Sequence, residues 1–191
     1  SGATATGRAY NGELTVAITG ATLVNRIVGD DVSLASLTGT VASADAGAGK
    51  AVTTALTITG TKAGNYTLSQ PAGVTVTISR VALTVTAANK SKVYDGSVYS
   101  PFTSVIAGFV NGETESALRD TGSLGGSASY GGTASTATDV GSYTITPVVT
   151  GLSATNYTFT PVDGTLGITK AVSSTTVTFE AGPYVYRGTP F

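Results

Sequence analysis

The stretch Lys92-Val93-Tyr94-Asp95-Gly96 recurs in altered form at Arg8-Ala9-Tyr10-Asn11-Gly12 and at Tyr184-Val185-Tyr186-Arg187-Gly188. The tyrosine and the glycine are kept in all three places, whereas the residue between them is Asp, Asn or Arg. The tyrosines lie 84 and 92 positions apart. A period of this length fits one small domain per repeat and is too long for a solenoid unit. The chain is therefore a tandem array.

Two further landmarks define the modules. The tripeptide Asn-Tyr-Thr occurs at Asn65–Thr67 and again at Asn156–Thr158, 91 positions later. We predict a first module over residues 1–80, a second module over residues 81–170 and the start of a third module over residues 171–191. These names are kept below.

The sequence register also describes the ends of the chain. Thr84-Val85-Thr86 aligns with Thr176-Val177-Thr178, and the same register places Ser1 opposite Val85. We therefore expect the first module to lack the start of its opening strand, and both ends to be cut from a longer protein.

Alternating Thr and Val or Ile residues predict strands with one apolar face and one hydroxyl face. Residues 42–50 are expected to form a loop. The predicted strands are Leu14–Thr19, Val32–Val41, Ala51–Thr59, Tyr66–Ser69 and Val74–Ile78 in the first module, and Leu83–Ala87, Thr103–Val110, Ser142–Val149, Tyr157–Thr160 and Thr165–Thr169 in the second. The expected fold class is mainly β, with tandem small β modules.

One segment differs from the strands. Asn111–Arg119 begins with a possible N-cap asparagine, has its acids early and its arginine late, and so favours a short helix. We expect at most one short helix per module. The connections Ser79–Ala82 and Thr169–Val172 contain neither Pro nor a Gly-rich linker, which predicts a stiff, elongated arrangement.

Composition excludes several classes of function. Charged residues make up 11% of the 191 residues and the net charge is -1. Because no Lys/Arg cluster is present, the sequence argues against nucleic acid and anionic membranes as partners. The sequence contains no run of about 18 apolar residues, so we do not expect membrane insertion. The chain has no Cys, His, Met or Trp, and little that is easily oxidised suits an extracellular protein.

The repeated landmarks closely resemble the YDG-type and MBG-type repeat domains of large bacterial surface adhesins. The matching segments are Lys92–Gly96, Gly108–Glu113, Asp139–Ile145, Asn156–Thr158 and Gly164–Thr169. The resemblance implies tandem arrays that form stalks on the bacterial cell surface. It also implies a β-grasp-like fold, for which an Ig-like β-sandwich is the alternative, and it brings no catalytic residue. The first module departs from the pattern, with Asn11 for Asp95 and with Asp30-Asp31 where the second module has Glu113.

Tyr10, Tyr94 and Tyr186 are the first candidate functional residues. They could stack on a ligand, but one tyrosine per repeat at the same turn favours an anchor that packs on its sheet and uses its hydroxyl locally. The neighbouring Gly and Asp or Asn are typical of turns.

Asn65, Asn89 and Asn156 each begin an Asn-Xaa-Ser/Thr sequon. Asn65 and Asn156 occupy the same repeat position, where a turn leads into a strand. A structural role is therefore favoured over a glycan.

Acidic residues offer a possible Ca²⁺ site, for which several oxygen ligands are needed. Asp30 and Asp31 with Asp45, or Glu113 with Glu115, are the candidates, with a module junction as the expected place. We predict no other metal or cofactor, because imidazole and thiolate ligands are missing. Without His or Cys, and with scattered acids, we predict no enzyme activity and assign no catalytic, cofactor-binding or metal-binding residue.

The leading hypothesis is a structural spacer in the stalk of a secreted bacterial adhesin or fibre, which projects a binding tip and has neighbouring modules as partners. One alternative is a module that binds glycan or a host surface, which a shared face of Tyr99, Tyr130, Tyr143 and Tyr184 would favour. Another is a filament in which the strand Thr175–Glu180 of one chain completes the first sheet of the next, head to tail.

Overall fold

The computed structural model describes residues 2–178 together with Gly182 and Gly188. The chain is mainly β, as predicted. Among the described residues lie one α-helix, α1 (Glu115–Asp120), and two 3-10 helices, Ala63–Asn65 and Thr133–Thr136. The strands are β1 (Thr4–Ala5), β2 (Arg8–Ala9), β3 (Thr15–Thr19), β4 (Ser33–Ser36), β5 (Thr38–Val41), β6 (Gly47–Thr54), β7 (Thr57–Thr59), β8 (Thr75–Ser79), β9 (Val81–Ala87), β10 (Lys90–Val93), β11 (Ser104–Ala107), β12 (Leu124–Gly126), β13 (Ser129–Gly131), β14 (Gly141–Val148), β15 (Leu152–Ala154), β16 (Tyr157–Val162) and β17 (Gly164–Thr169).

Period-two patterning explains the main strands. In β3 the buried residues Val16 and Ile18 alternate with exposed Thr15, Ala17 and Thr19. The same alternation occurs in β8 and β9. Successive side chains of a strand point to opposite faces of a sheet, so this sequence buries one face of each strand.

The two modules share one pairing scheme. In the first module β8 pairs in parallel with β2 and antiparallel with β6. In the second module β17 pairs in parallel with β10 and antiparallel with β14. These parallel pairs differ from the Ig-like alternative, whose two sheets are antiparallel.

β9 connects the modules. A single residue, Arg80, separates it from β8. β9 lies between β11, with which it pairs antiparallel, and β16, with which it pairs in parallel. Its residues Leu83 and Val85 are 0% exposed. No strand among the described residues of the first module occupies the equivalent place.

The strand expected at Tyr66–Ser69 does not form, and the prediction was wrong. The equivalent residues of the second module, in β16, pair with β9. The first module has no such partner in the described residues, and a strand needs a neighbour for its ladder. The segment is held instead by the Gln70 amide, which bonds the backbone N–H and carbonyl of Leu56 at 2.9 and 2.8 Å.

Three other expectations need correction. The loop predicted over residues 42–50 is wrong from Gly47 onward, because β6 begins there with an irregular register opposite β8. The stretches Val32–Val41 and Ala51–Thr59 each form two strands instead of one. They divide because β4 and β7 leave the main sheet to pair with each other. Short Gly- and Ser-containing strands such as β12 and β13 were not predicted.

The predicted helix exists but begins later than expected. Its N-cap is Thr114, whose hydroxyl oxygen accepts from the Ala117 N–H at 3.2 Å. Asn111 was the expected cap and instead adopts a φ of 57° in the preceding turn, a conformation that asparagine tolerates.

The start of a third module was predicted as a strand over Thr175–Glu180. The described part, residues 175–178, forms no strand, and Glu180 and Tyr184–Tyr186 lie outside the described residues. Val172 and Val177 are 97% and 72% exposed. No partner strand lies beside this segment within residues 2–178, and a strand needs a neighbour for its ladder.

Two clusters of buried residues form the core. The larger one contains Tyr10, Val16 and Ile78 from the first module and Leu83 and Tyr157 from the second. The smaller one lies within the second module around Ile145 and Leu166. The larger cluster thus crosses the boundary between the modules.

Candidate functional site at the module junction

The repeated Tyr-Xaa-Gly motif forms a hydrogen-bonded turn, which we call the first corner (Tyr10–Glu13). The Tyr10 N–H donates to the Ser79 carbonyl at 2.9 Å, which continues the β2–β8 pairing. The Asn11 side-chain oxygen accepts from the Glu13 N–H at 3.0 Å. Gly12 has a φ of 79°, a conformation that favours glycine.

The second corner (Tyr94–Ser97) repeats these contacts. The Tyr94 N–H donates to the Thr169 carbonyl at 2.8 Å, and Asp95 accepts from the Ser97 N–H at 2.9 Å. The Lys92 ammonium also donates to Asp95, which lowers the pKa of that carboxyl more than any other contact does. Asp and Asn are interchangeable here because each supplies one acceptor oxygen.

The corner of the first module docks on a turn of the second module. This turn, Val110–Glu113 together with Tyr157, is called the second socket. The Glu113 N–H donates to the Val110 carbonyl at 3.0 Å. The Tyr157 hydroxyl accepts from the Val110 N–H at 3.3 Å and donates to Glu113 Oε2.

Tyr10 completes the junction. Its hydroxyl donates to Glu113 Oε1 at 2.5 Å, so the two carboxylate oxygens accept from two tyrosines. The Tyr10 and Tyr157 rings meet edge to face at 5.7 Å, as do those of Phe109 and Tyr157, a geometry that aromatic pairs prefer. The junction is therefore both apolar and hydrogen-bonded.

Burial sets the ionisation of these tyrosines. Desolvation, followed by the hydrogen bond to Glu113, raises the pKa of Tyr10 to about 12. The same two causes raise the pKa of Tyr157 to about 12. Both phenols are therefore neutral donors over the physiological range.

The Asn111 side chain lies close to the backbone of the first corner. A Cβ added to Gly12 would lie 2.1 Å from Asn111 Nδ2. The first corner and the second socket are thus in direct contact, and a side chain at Gly12 would displace that of Asn111 in addition to the strain of the positive φ.

Asn156 forms a second contact between the modules. Its side-chain oxygen accepts from the Ala46 N–H at 2.9 Å and its amide nitrogen donates to Asp45 at 3.0 Å. Hydrogen bonds from Ser43 and Asn156 lower the pKa of Asp45. The structural role predicted for Asn156 is confirmed here, and Asn89 likewise accepts from the Thr165 N–H at 2.8 Å. Asn65, which holds the same repeat position as Asn156, is exposed, and its side chain makes no hydrogen bond among the described residues.

A first socket exists in the first module, at Ile27–Asp30 together with Tyr66. The Asp30 N–H donates to the Ile27 carbonyl at 3.2 Å. The Tyr66 hydroxyl accepts from the Ile27 N–H at 3.0 Å and donates to Asp30 Oδ2 at 2.7 Å. The hydrogen bond to Asp30 is the main cause that raises the pKa of Tyr66. These three bonds repeat those of the second socket.

The expectation that each repeated tyrosine uses its hydroxyl locally was wrong at Tyr10, whose hydroxyl bonds Glu113 of the second module. Its side chain is 7% exposed and shares a core cluster with Ile78 of its own module and with Tyr157 of the second, whereas Tyr94 is 41% exposed. Tyr186 lies outside the described residues. Tyr10 therefore anchors the two modules to each other.

The proposed Ca²⁺ ligands are not gathered. Asp30 bonds Tyr66, Asp31 accepts from the Thr61 N–H at 2.9 Å, and Asp45 bonds Asn156. Glu113 holds the two tyrosines, while Glu115 pairs with Arg119 at 2.8 Å. Within residues 2–178 no group of three or more acidic side chains could hold a metal ion.

The aromatic residues considered for glycan binding are only partly gathered. Tyr99 and Tyr130 lie on either side of Phe102, at ring distances of 5.5 and 5.9 Å, and all three rings pack against the smaller core cluster. Tyr143 is hydrogen-bonded to the Asp139 carbonyl at 2.9 Å, and Tyr184 lies outside the described residues.

Sequence reasoning did not find the junction. The signal was present, because Ile27-Val28-Gly29-Asp30 aligns with Val110-Asn111-Gly112-Glu113, and Asp30 lies 20 residues after Tyr10 as Glu113 lies 19 residues after Tyr94. Nothing in the sequence, however, indicates that the corner of one module contacts the socket of the next.

Two family models match successive parts of the chain. Residues 1–73 match the YDG domain, and residues 83–167 match the MBG domain of the YGX type. No curated protein and no solved structure matches the chain. In the part of the chain that the structure describes, no helix has the length and apolar character of a membrane span.

Proposed function

We propose that this chain is a spacer segment in the stalk of a secreted bacterial adhesin or fibre. The matches to a YDG domain and then to an MBG domain support this proposal, because these domains are found in surface-associated repeat proteins. In this role it holds a binding tip away from the cell. The work is mechanical and needs no reaction.

The docked junction is the observation that carries this proposal. A spacer must keep its modules in a fixed relative orientation, and a flexible linker would allow them to fold back. Here Arg80 alone connects β8 to β9. Rotation about that connection would break the bonds from Tyr10 and Tyr157 to Glu113 and the contact between Asn156 and Asp45.

The direct junction supports the same role, because it favours resistance to proteases. Short connections leave little exposed backbone for a protease, and loop tips are the usual sites of cleavage. The large core cluster contains residues of both modules, so local opening at the junction also exposes core surface.

Small-angle scattering tests the spacer role. We expect an elongated particle with a narrow distribution of sizes. Glu113→Ala should broaden that distribution, because both tyrosine hydroxyls lose their acceptor, whereas exposed Glu13→Ala is the matched control. A globular profile, or a wild-type chain as flexible as the Glu113 variant, would contradict the proposal.

A second candidate function is glycan binding by the second module. The contiguous rings of Tyr99, Phe102 and Tyr130 are the observation that favours it, since sugars stack on aromatic faces. The Tyr130 hydroxyl is already bonded to Ser104 at 2.9 Å. A glycan array probed with the wild-type chain and with Tyr99→Ala distinguishes the candidates, since a spacer gives no signal with either protein.

A further inference from the structure

The first two and the last two strands of the second module pair with each other in one continuous register. β9 pairs in parallel with β16, beginning at Val81 and Tyr157. β10 pairs in parallel with β17, ending at Val93 and Thr169. Partner residues are 76 positions apart in both ladders. The two ladders therefore form a single pairing, which we call the clamp (β9 and β10 with β16 and β17).

A side chain spans the break between the two ladders of the clamp. Short connections separate β9 from β10 and β16 from β17. Between them the Asn89 side-chain oxygen accepts from the Thr165 N–H at 2.8 Å and from the Thr165 hydroxyl at 3.2 Å. These two residues are also 76 positions apart, so Asn89 supplies the contact that the backbone ladder lacks. The strands stay close here, because a Cβ added to Gly164 would lie 2.6 Å from the Ala87 carbonyl oxygen.

Both sides of the clamp are anchored in the core. Leu83 of β9 belongs to the larger core cluster, and Leu166 and Ile168 of β17 belong to the smaller one. β9 lies between β11 and β16, and β17 lies between β10 and β14, so each of them is a central strand. Separating the clamp strands would therefore expose apolar residues of both clusters to water, which is unfavourable.

The direction of the strands decides how the clamp responds to tension. The second module begins at Val81 and its last strand ends at Thr169, and these residues lie at opposite ends of the parallel pair. A force that pulls them apart acts along the strands, in opposite directions on the two partners. Because the bonds of a parallel pair are evenly spaced along the strands, such a force loads them together. A force across the strands would instead break the bonds one after another.

We propose that the clamp carries the tension on the second module and resists it in shear. Residues 94–156, which lie between the two halves of the clamp in sequence, bear no tension until the clamp breaks. The inference rests on the proposed spacer function, because it names the strands through which such a spacer transmits force.

Pulling on the second module in two directions tests the clamp. The chain has no cysteine, so paired cysteines at exposed positions can attach the full chain to the handles of an optical trap. Arg80→Cys with Lys170→Cys loads the clamp along its strands, whereas Arg80→Cys with Thr155→Cys loads the start of the same ladder across them. We expect unfolding in one step with the first pair, at a force about twofold or more above that of the second, because the unfolding barrier governs forced unfolding.

Asn89→Ala opens the break in the clamp. Under a constant force along the strands, this variant should unfold about two- to tenfold faster than the wild type, the effect of losing one hydrogen bond. Asn89→Asp keeps the acceptor oxygen and should restore the wild-type rate.

Thr133→Ala is the matched control for Asn89→Ala. The Thr133 hydroxyl oxygen also accepts from a strand N–H, that of Thr144, at 2.8 Å, but this contact lies outside the clamp. Both Thr133 and Asn89 are exposed, so we expect both alanine variants to fold. Thr133→Ala should unfold at the wild-type rate under the same force.

The results distinguish the clamp from the spacer function. Equal unfolding forces in the two directions, or equal effects of Asn89→Ala and Thr133→Ala, would overturn the clamp. Scattering reports the shape of the chain and not its resistance to force. An elongated chain that yields equally in both directions would thus refute the clamp alone, whereas a compact chain with a higher force along the strands would support the clamp and refute the spacer function.

Discussion

The two sockets have the same hydrogen bonds but different surroundings. In both, a tyrosine hydroxyl accepts from a backbone N–H and donates to the acid that ends the turn. Tyr157 is 2% exposed because the first corner covers it. Tyr66 has no such cover among the described residues and remains partly exposed.

This difference separates what a module makes for itself from what its neighbour supplies. The turn and its bonds form locally, so the first socket has the geometry of the second without a partner. Burial, the ring contact between Tyr10 and Tyr157 and the second hydrogen bond to the acid come only with docking. Since the socket is already ordered, docking loses little conformational entropy.

The largest expected effect comes from removing the acid of the docked socket. Glu113→Ala leaves the hydroxyls of Tyr10 and Tyr157 without their acceptor, and an unsatisfied buried donor costs about 1–3 kcal/mol. We expect the free energy of unfolding to fall by about 2–4 kcal/mol, measured by urea denaturation. Asp30→Ala should cost clearly less, because Tyr66 can bond to water.

Glu113→Gln is the control for charge, since it keeps one acceptor oxygen, and its loss should lie between those of the wild type and Glu113→Ala. Equal losses for Glu113→Ala and Asp30→Ala would mean that docking adds nothing to the stability of the socket.

The two corners allow a matched test of the close approach. Gly12 and Gly96 have φ values of 79° and 75°, but a Cβ at Gly12 would meet Asn111, whereas a Cβ at Gly96 meets nothing within 4 Å. Alanine at either position pays about 1 kcal/mol for the left-handed conformation. Gly12→Ala should cost about 0.5–1.5 kcal/mol more, because the Asn111 side chain must also leave its present rotamer.

Asn111→Gly supplies the control for that difference. It removes the side chain that a new Cβ at Gly12 would strike, and glycine tolerates the φ of 57° at this position. In this background Gly12→Ala should cost about as much as Gly96→Ala in thermal denaturation. A persistent difference would show that the clash with Asn111 is not its cause.

The sequence predicted the fold where the signal was local. Alternation of Thr with Val or Ile is enough to predict β3, β8, β9 and β17, because one buried face needs no knowledge of the partner strand. It failed at Tyr66–Ser69, where the residue pattern favours a strand but no partner backbone lies alongside in the part of the chain that the structure describes. Strand formation there depends on a long-range pairing that residue type does not encode.

The candidate site was predictable only in part. The turn chemistry of Asp95 and Gly96 and the structural role of Asn156 follow from residue types and repeat position. That Tyr10 crosses to Glu113, more than 100 residues away in sequence, follows only from how the modules dock. Aligning Asp30-Asp31 with Glu113 relates the two sockets, but not the corner to the socket.

The smallest expected effect concerns the ionisation of the docked tyrosines. The pKa of Tyr10 and of Tyr157 is raised to about 12 in the folded protein, above the usual value near 10 in an unfolded chain. The neutral phenols therefore stabilise the junction fully below about pH 10, and this contribution is lost as the pH rises through about 12.

Burial is the largest cause of the raised pKa of the two tyrosines, and the Glu113 carboxylate comes second. Glu113→Gln should accordingly lower both pKa values only part of the way towards 10, measured by phenolate absorbance. A return of both to 10 would mean that the charge of Glu113, and not the cover supplied by the neighbouring module, sets the chemistry of the docked corner.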